Sequence, residues 1–338
     1  DKTQESKPEF ATRFPNMASA GLGAAIVSVT DDFFAEAPRM LADSDAVFIE
    51  DKYDDNGKWM DGWESRRKRG PGNDHAIVKL AAPTLIRGFD IDTSHFTGNY
   101  PPACSIDGCN LPAGTAPTDT TSWHPLLAMT PLGPSAHHHA AHDGDHVWTH
   151  LRLNIFPDGG VARLRVYGLA QPTGHAEGEE FDLASLLNGA RIVGFSDAHY
   201  GNYPRLLTPT VPKDMGDGWE TRRRREPGND WIIVALAAPG HVERAVVDTA
   251  YYKGNFPESC SIDAAYLPDA LAAGPDADAM LVTASMFWEP LMGRQTLHAD
   301  RVHEFTDIPE HGPVTHVRLN IHPDGGVSRF KLFGRKTG

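Results

Sequence analysis

The sequence predicts an all-β protein built from two β-sandwich or jelly-roll domains in tandem. Two observations predict it. Long sequence blocks occur twice, in the same order, along the 338 residues. Within each copy, short alternating apolar runs are separated by clusters of Gly, Pro, Asn and Asp, the pattern of strands joined by turns. With 32 Gly and 26 Pro, about one residue in six is a turn former. The ordinary share is nearer 12%, so many turns and few long helices follow.

The duplication is read block by block. DGWESRRKRGPGND at 61–74 returns as DGWETRRRREPGND at 217–230, with eleven of fourteen positions identical. GNYPPACSID at 98–107 returns as GNFPESCSID at 254–263, and HLRLNIFPDGGVARLRVYG at 150–168 returns as HVRLNIHPDGGVSRFKLFG at 316–334. The offset is 156 for the first two blocks and 166 for the third; GAAIVSVTDD from Gly23 aligns with GARIVGFSDA from Gly189, again at 166. Each half therefore carries one loop of about ten residues that the other lacks, near 44–58 in the first (EDKYDDNGK) and near 269–281 in the second (DALAAGPDADAML). The expected repeats span 14–172 and 181–338. The polar, turn-forming stretch QPTGHAEGEE at 171–180 lies between them as a linker.

Inside a repeat, HAIVKLAAP at 75–83 and WIIVALAAP at 231–239 read as short β-branched strands closed by Pro. HVERAVVDTAYY at 241–252 alternates and is aromatic-rich, with Gly-Asn-Phe-Pro as its turn. VTHVRLNIHPDGGVSRFKLFG at 314–334 reads as a hairpin about a PDGG turn of positive φ. Only short pieces such as 182–188 look helical.

Lys and Arg number 31 against 45 Asp and Glu, a net charge of −14, which argues against a nucleic-acid partner. No run of eighteen apolar residues predicts a membrane span. The opening residues DKTQESKPEF carry no apolar h-region, and Cys104, Cys109 and Cys260 are too few for a disulfide framework. Free thiols in a reducing cytoplasm are the expectation. No GxSxG elbow, phosphate-binding GxxxxGK[ST] loop or dinucleotide fingerprint is present.

The GDGWETRR…GNDW element, the DTxxxxGNFPxxCSID strand and the closing THVRLNIxPDGGVxRxxxxG, present in both halves over about 21–334, closely resemble the allantoicase family. The resemblance implies two jelly-roll repeats similar to galactose-binding-like sandwiches, assembly as a homo-oligomer, and hydrolysis of allantoate to ureidoglycolate and urea in purine degradation. The halves differ from one another at His75/Trp231, Lys79/Ala235, His124/Glu289 and Asp32/Ala198, so their roles need not be equal.

Allantoate is one carbon bearing a carboxylate and two ureido groups. Its site needs a guanidinium to grip the carboxylate, carboxylates or amides for the ureido groups, and an acid–base group for the departing nitrogen. In the Trp219–Arg225 run, a local basic field in an acidic chain, strand alternation would put Glu220 and Arg222 on one face; with Glu64 and Arg66 they are candidates for proton transfer and carboxylate binding. Asn229, Asp230 and Asn255 are candidate substrate contacts, although Asx residues in turns also cap their own backbone. Alternation also places His316, Arg318 and Asn320 on one strand face, and His150, Arg152 and Asn154 likewise; an interdomain or subunit network is the competing use. His303 and its counterpart His138 are further acid–base candidates. HHHAAHDGDH at 137–146 can be read as a metal tract, but no HExxH motif accompanies it, and a divalent ion such as Mn held by scattered carboxylates leaves no local signature. A non-catalytic tandem ligand- or carbohydrate-binding protein is the alternative that a jelly roll alone permits.

Overall fold

The computed structural model describes residues 6–172 and 174–337. The first five residues of the opening stretch, Thr173 of the expected linker and Gly338 at the end of the expected second repeat lie outside the described residues. The chain divides into two compact units, Asp1–Gln171 and Pro172–Gly338.

Each unit is built on the same seven principal strands. In the first they are β1 (Ala25–Val29), β2 (Asp74–Asp92), β3 (Ala103–Cys109), β4 (His124–Pro131), β5 (His137–Ala141), β6 (Val147–Phe156) and β7 (Arg163–Ala170). In the second they are β8 (Arg191–Phe195), β9 (Asp230–Asp248), β10 (Ser259–Ala265), β11 (Glu289–Thr296), β12 (Val302–Phe305), β13 (Val314–His322) and β14 (Arg329–Lys336). Pairing runs β1-β2-β6-β3-β4, with β5 and β7 added on the far part of β2; the second unit repeats this order, and a short strand, Phe181–Asp182, joins β14. The all-β, two-sandwich expectation is met.

Two expectations are corrected. Pro83 and Pro239 do not close a strand: β2 and β9 each run through them for 19 residues. Proline is tolerated there because the register shifts at that point, between Lys79 and Thr84 on β2 and between Ala235 and Gly240 on β9, so no ladder N–H is lost. The stretch after His316 is not a hairpin either. β13 pairs with the first part of β9 and β14 with the last part, so the PDGG turn carries the chain between the two pairing groups instead of folding it back on itself.

The interior of the first unit follows the period of two. Leu151, Leu153 and Ile155 on β6 pack with Val78, Phe89, Ile91, Ile106, Leu164 and Val166 in one buried cluster. Trp63, fully buried, donates its indole N–H to Asp31 O at 2.8 Å, and Trp219 does the same to Asp197 O at 2.7 Å. The repeated blocks recur together because they dock on one another. Gly159 (φ +135°) lies so close to the GNYP turn that a Cβ would stand 2.7 Å from Pro101 N, and Gly160 N–H donates to Asn99 O at 2.8 Å. Gly325 repeats this against Pro257 and Asn255.

One buried guanidinium per unit closes the loop of variable length. Arg163 Nε donates to Ser44 O (2.9 Å) while its Nη2 donates to Asp61 Oδ2 (2.9 Å). Arg329 makes the same bonds to Thr210 O (2.7 Å) and Asp217 Oδ2 (3.0 Å). The spanned segment is ten residues longer in the first unit, where it carries a small hairpin of Tyr53–Asp54 and Gly57–Lys58. Removing one partner of a buried ion pair leaves an uncompensated charge. Arg163→Met is therefore expected to lower unfolding free energy by about 3–5 kcal/mol, read by urea denaturation; a loss under about 1 kcal/mol would refute the anchoring role.

Candidate active site

Three rows of side chains project from the outer face of β2, β6 and β3. Register sets them: His75, Asn154 and Ser105 in the first row, Ile77, Arg152 and Asp107 in the second, Lys79, His150 and Cys109 in the third. The centre is Asp107. Its Oδ2 accepts from Arg152 Nη2 at 3.0 Å and Nε at 3.3 Å, and from Asn154 Nδ2 at 2.9 Å. Asn154 also donates to Ser105 Oγ at 3.1 Å, and the Arg152 guanidinium stacks 4.9 Å over the Trp123 ring. Lys79 and the neighbouring Ala25 and Ser28 of β1 are exposed, His75, Arg152 and Asp107 are half-buried, and Asn154, His150 and Cys109 are buried, so the face is open at its β1 edge. Burial, with the Arg152 cation beside it, lowers His75 below its ordinary value, against the opposing pull of Asp74. Burial and then Lys79 do the same to His150, whose Nδ1 lies 2.9 Å from Thr149 Oγ1.

The second unit has the same three strands, and the β1-equivalent edge of its face is filled. The rows are Trp231, Asn320 and Ser261; Ile233, Arg318 and Asp263; Ala235, His316 and Ala265. After the short helix α1 (Glu9–Arg13) at the start of the first unit, the next α-helix comes from the extra loop of this half, α2 (Pro275–Ala284), followed by the 3₁₀ turn Ser285–Phe287. Asp278 of α2 accepts from both ends of the Arg191 guanidinium, at 2.8 and 2.7 Å, and both residues are buried. Arg191 stands where the first unit has Ala25. Ser285 Oγ accepts from Arg318 Nη1 at 2.9 Å, and Arg318 Nε donates to Asn320 Oδ1 at 2.9 Å rather than to Asp263. Burial raises Asp263, only partly offset by the Asn320 hydrogen bond and the Arg318 cation. His316 is fully buried, its Nδ1 lies 2.7 Å from Thr315 Oγ1, and its Nε2 has no partner among the described residues.

The other expected residues fall in two places. Strand alternation does not hold through the arginine run. Only Trp219–Glu220 is strand, because beyond Thr221, whose N–H donates to Gly325 O at 3.1 Å, side chains take the backbone amides: Arg222 N–H goes to Asp197 Oδ2 (2.6 Å) and Arg224 N–H to Asp324 Oδ2 (2.7 Å). Glu220 instead accepts from Asn255, and Glu64 from Asn99 at 2.8 Å. Burial raises Glu64, opposed by Asn99. The exposed Arg222 lies 3.5 Å from Asp197, and Arg66 lies 2.7 Å from Asp31. Asp31 follows Thr30, whose hydroxyl accepts from His75 N–H at 3.0 Å, so the Arg66–Asp31 pair borders the open face. Asn229 Nδ2 donates to Asp230 O at 2.9 Å, and the buried Asp230 accepts from Ser196 Oγ and Arg224 Nη1. Asn229 thus caps backbone, the use open to Asx residues in turns, and its Nδ2 also lies 3.4 Å from Asn320 Oδ1, while Asp230 ties the turn together through side chains.

His303 and His138 are corrected as acid–base candidates. His138 Nε2 accepts from Gly133 N–H at 2.8 Å and its Nδ1 bonds Ile91 O at 2.7 Å. His303 does the same with His298 N–H and Val247 O. Both ring nitrogens are spent holding a turn on a strand. The residues that sequence reasoning passed over are Asp107, Ser105 and Trp123. His75 and Lys79 were visible as differences between halves. The three cysteines are free and buried; burial holds Cys104 and Cys260 at about 12 and raises Cys109, so none is a nucleophile.

His316 yields a test. Burial first, then the Arg191 cation, lower it from 6.5 to about 4, against the opposing Asp278. A depressed folded value means that the unfolded chain binds the proton more tightly. Stability is thus retained above pH 6.5 and lost as pH falls toward about 4, by roughly 3 kcal/mol in all. In His316→Asn that part of the pH dependence disappears; identical stability profiles for the two proteins would contradict the buried neutral imidazole.

A family model described as the allantoicase repeat matches residues 15–171 and again 181–337. A protein of Rhizobium meliloti described as a probable allantoicase is 55% identical over 334 residues, covering 98% of this chain and 96% of its own length. One from Burkholderia pseudomallei, described as probable allantoicase 2, is 54% identical over 330 residues, covering 97% and 96%. The crystal structure of allantoicase from Saccharomyces cerevisiae superposes with a TM-score of 0.78 at 32% identity, covering 95% of this chain and 92% of that one. With both repeats matched and the whole chain alignable, this protein belongs to the allantoicase family.

Proposed function

We propose that this chain hydrolyses allantoate to ureidoglycolate and urea, and that the open face of the first unit is where it does so. The activity rests on relatives more than half identical over nearly the full length and named for that reaction. They leave the tandem binding protein without catalysis unfavoured. The place rests on one observation: beside the polar rows the first unit has the exposed Ala25 and Lys79, whereas the second has the buried Arg191 clamped to Asp278 of α2 and Arg318 held by Ser285 in the turn that follows.

Each residue there meets one demand of the substrate. Arg152 is oriented by Asp107 and flattened on Trp123, and with Lys79 it offers two cations to one carboxylate. Arg66 at the border adds positive field for capture. Asn154 and Ser105 supply donors and acceptors for a ureido group, and the second Asp107 oxygen accepts its N–H. The bond that breaks joins the central carbon to one ureido nitrogen. Water adds its oxygen to that carbon and gives up a proton, and the departing nitrogen gains one. His75, kept neutral by burial and the adjacent guanidinium, takes the proton from water and passes it to the leaving urea. As the family resemblance implies, the enzyme works as a homo-oligomer, and its three free, buried thiols suit a reducing cytoplasm. Among the described residues no helix is long and apolar enough to cross a membrane.

Urea release from allantoate tests the assignment. Arg152→Lys is expected to raise KM about 10- to 100-fold, since a point charge replaces a two-pronged grip. His75→Asn is expected to lower kcat about 10²- to 10³-fold with KM little changed. Arg318→Lys, in the closed unit, should stay within about threefold of the parent. If Arg318→Lys abolishes turnover while Arg152→Lys is unaffected, the site belongs to the second unit and the proposal is wrong.

A further inference from the structure

Away from the rows around Asp107, one cluster in the first unit has no counterpart in the second. Asp90 on β2 lies directly across from His139 on β5, and His137 two residues earlier pairs with Asp92. All three side chains leave the same side of the two strands, because residues i and i+2 share a face. Asp90, His137 and His139 bring one ligand atom each to within 4.8 Å of one another. His137 Nδ1 is 2.7 Å from Asp90 Oδ2, and His139 Nε2 is 3.5 Å from the same oxygen. The two imidazoles are parallel, 5.8 Å apart.

The carboxylate carries the second observation. Asp90 is 2% exposed, and its Oδ1 is buried with no hydrogen-bond partner among the described residues. A buried carboxylate oxygen left unsatisfied is costly. The nearest cation by register, Arg165, is turned elsewhere: it donates to Ala42 O and Ser44 O, each at 3.2 Å, and approaches Asp45 at 3.9 Å. Phe10, on the helix α1 (Glu9–Arg13), lies edge-on to His139 at 6.3 Å and covers one side of the cluster. In the second unit the same register positions hold Val246, Val302 and Glu304.

We propose that Asp90, His137 and His139 form a binding site for a borderline divalent transition-metal ion of the Zn²⁺ type. Two imidazoles and one carboxylate with an open fourth position are the donor set such an ion takes, and imidazole disfavours the hard Mg²⁺ and Ca²⁺. With metal–ligand bonds of about 2.0–2.1 Å, neighbouring ligands of a tetrahedron stand roughly 3.3 Å apart. The His139–Asp90 separation already fits, and the His137–Asp90 contact opens by about half an ångström as the ion replaces the shared proton. β5 already pairs with β2 over five residues, and the ion would add a side-chain clasp between the two strands.

The test uses the full chain, stripped with EDTA and dialysed against Zn²⁺, with metal content measured by mass spectrometry and melting followed by circular dichroism. One Zn²⁺ per chain and a higher Tm on loading are expected. Both are lost in His137→Ala/His139→Ala, whose partly exposed rings can be removed without emptying the core. Either single substitution should weaken binding more than about 100-fold, beyond the 10- to 100-fold typical of losing an outer-shell group. Co²⁺ loaded in place of Zn²⁺ should give visible absorption of a tetrahedral site in the parent and not in the double variant. No stoichiometric uptake by the parent, or equal uptake by the double variant, overturns the proposal. Neither result depends on allantoate turnover, so it stands or falls apart from the reading of the Asp107 face.

Discussion

A single carboxylate oxygen, Oδ2 of Asp107, orders the polar face of the first unit. It accepts from the guanidinium of Arg152 and the amide of Asn154, both from the neighbouring strand. Those bonds exist because the β3–β6 register sets residue 107 opposite 152 and one step from 154. A slip of β6 by one residue would send Arg152 and Asn154 into the apolar interior, away from Asp107, and bring Leu151 and Leu153 out. The packing of the core and the geometry of the polar rows are therefore the same fact seen from two sides of one sheet.

The second unit shows how little is needed to undo such a face. Its register is unchanged, and Asn320 still donates to Asp263 at 2.8 Å. But the ten-residue loop folds into α2, Asp278 fixes it to Arg191, and Ser285 draws Arg318 away from the carboxylate. Trp231 takes the position of His75, with Arg318 4.8 Å above its ring. One duplicated scaffold thus holds an open copy and a filled copy, and the difference lies in an insertion and a few substitutions rather than in the strands.

Much of this was legible in the sequence. The duplicated blocks marked the two sandwiches, and alternation correctly put Arg152 with Asn154 and Arg318 with Asn320 on one face, because these strands keep a strict period of two. Alternation failed in the arginine run, where Asp197 and Asp324 side chains replace a neighbouring strand as partners of the backbone; no local spacing announces a carboxylate from 25 or 100 residues away. Asp107 was passed over because it closes a block shared by both halves, so nothing distinguished it from a turn residue. His138 and His303 looked catalytic by residue type, yet an imidazole with both nitrogens bonded to backbone is a brace. The helix in the second insertion was passed over because the block reads as an extra loop, although its Ala content and its Pro at the first helical position favour a helix.

Arg163 and Arg329 have a bearing on how such a domain can change. Each guanidinium grips both ends of the segment that differs in length between the units, at Ser44 and Asp61 in one and Thr210 and Asp217 in the other. The endpoints are pinned to the β-framework whatever lies between them, and closing a longer loop costs little additional entropy. That makes the stretch a natural docking port for foreign sequence: residues can be added or removed there over evolutionary time, or by an engineer, while the sandwich behind it never registers the change.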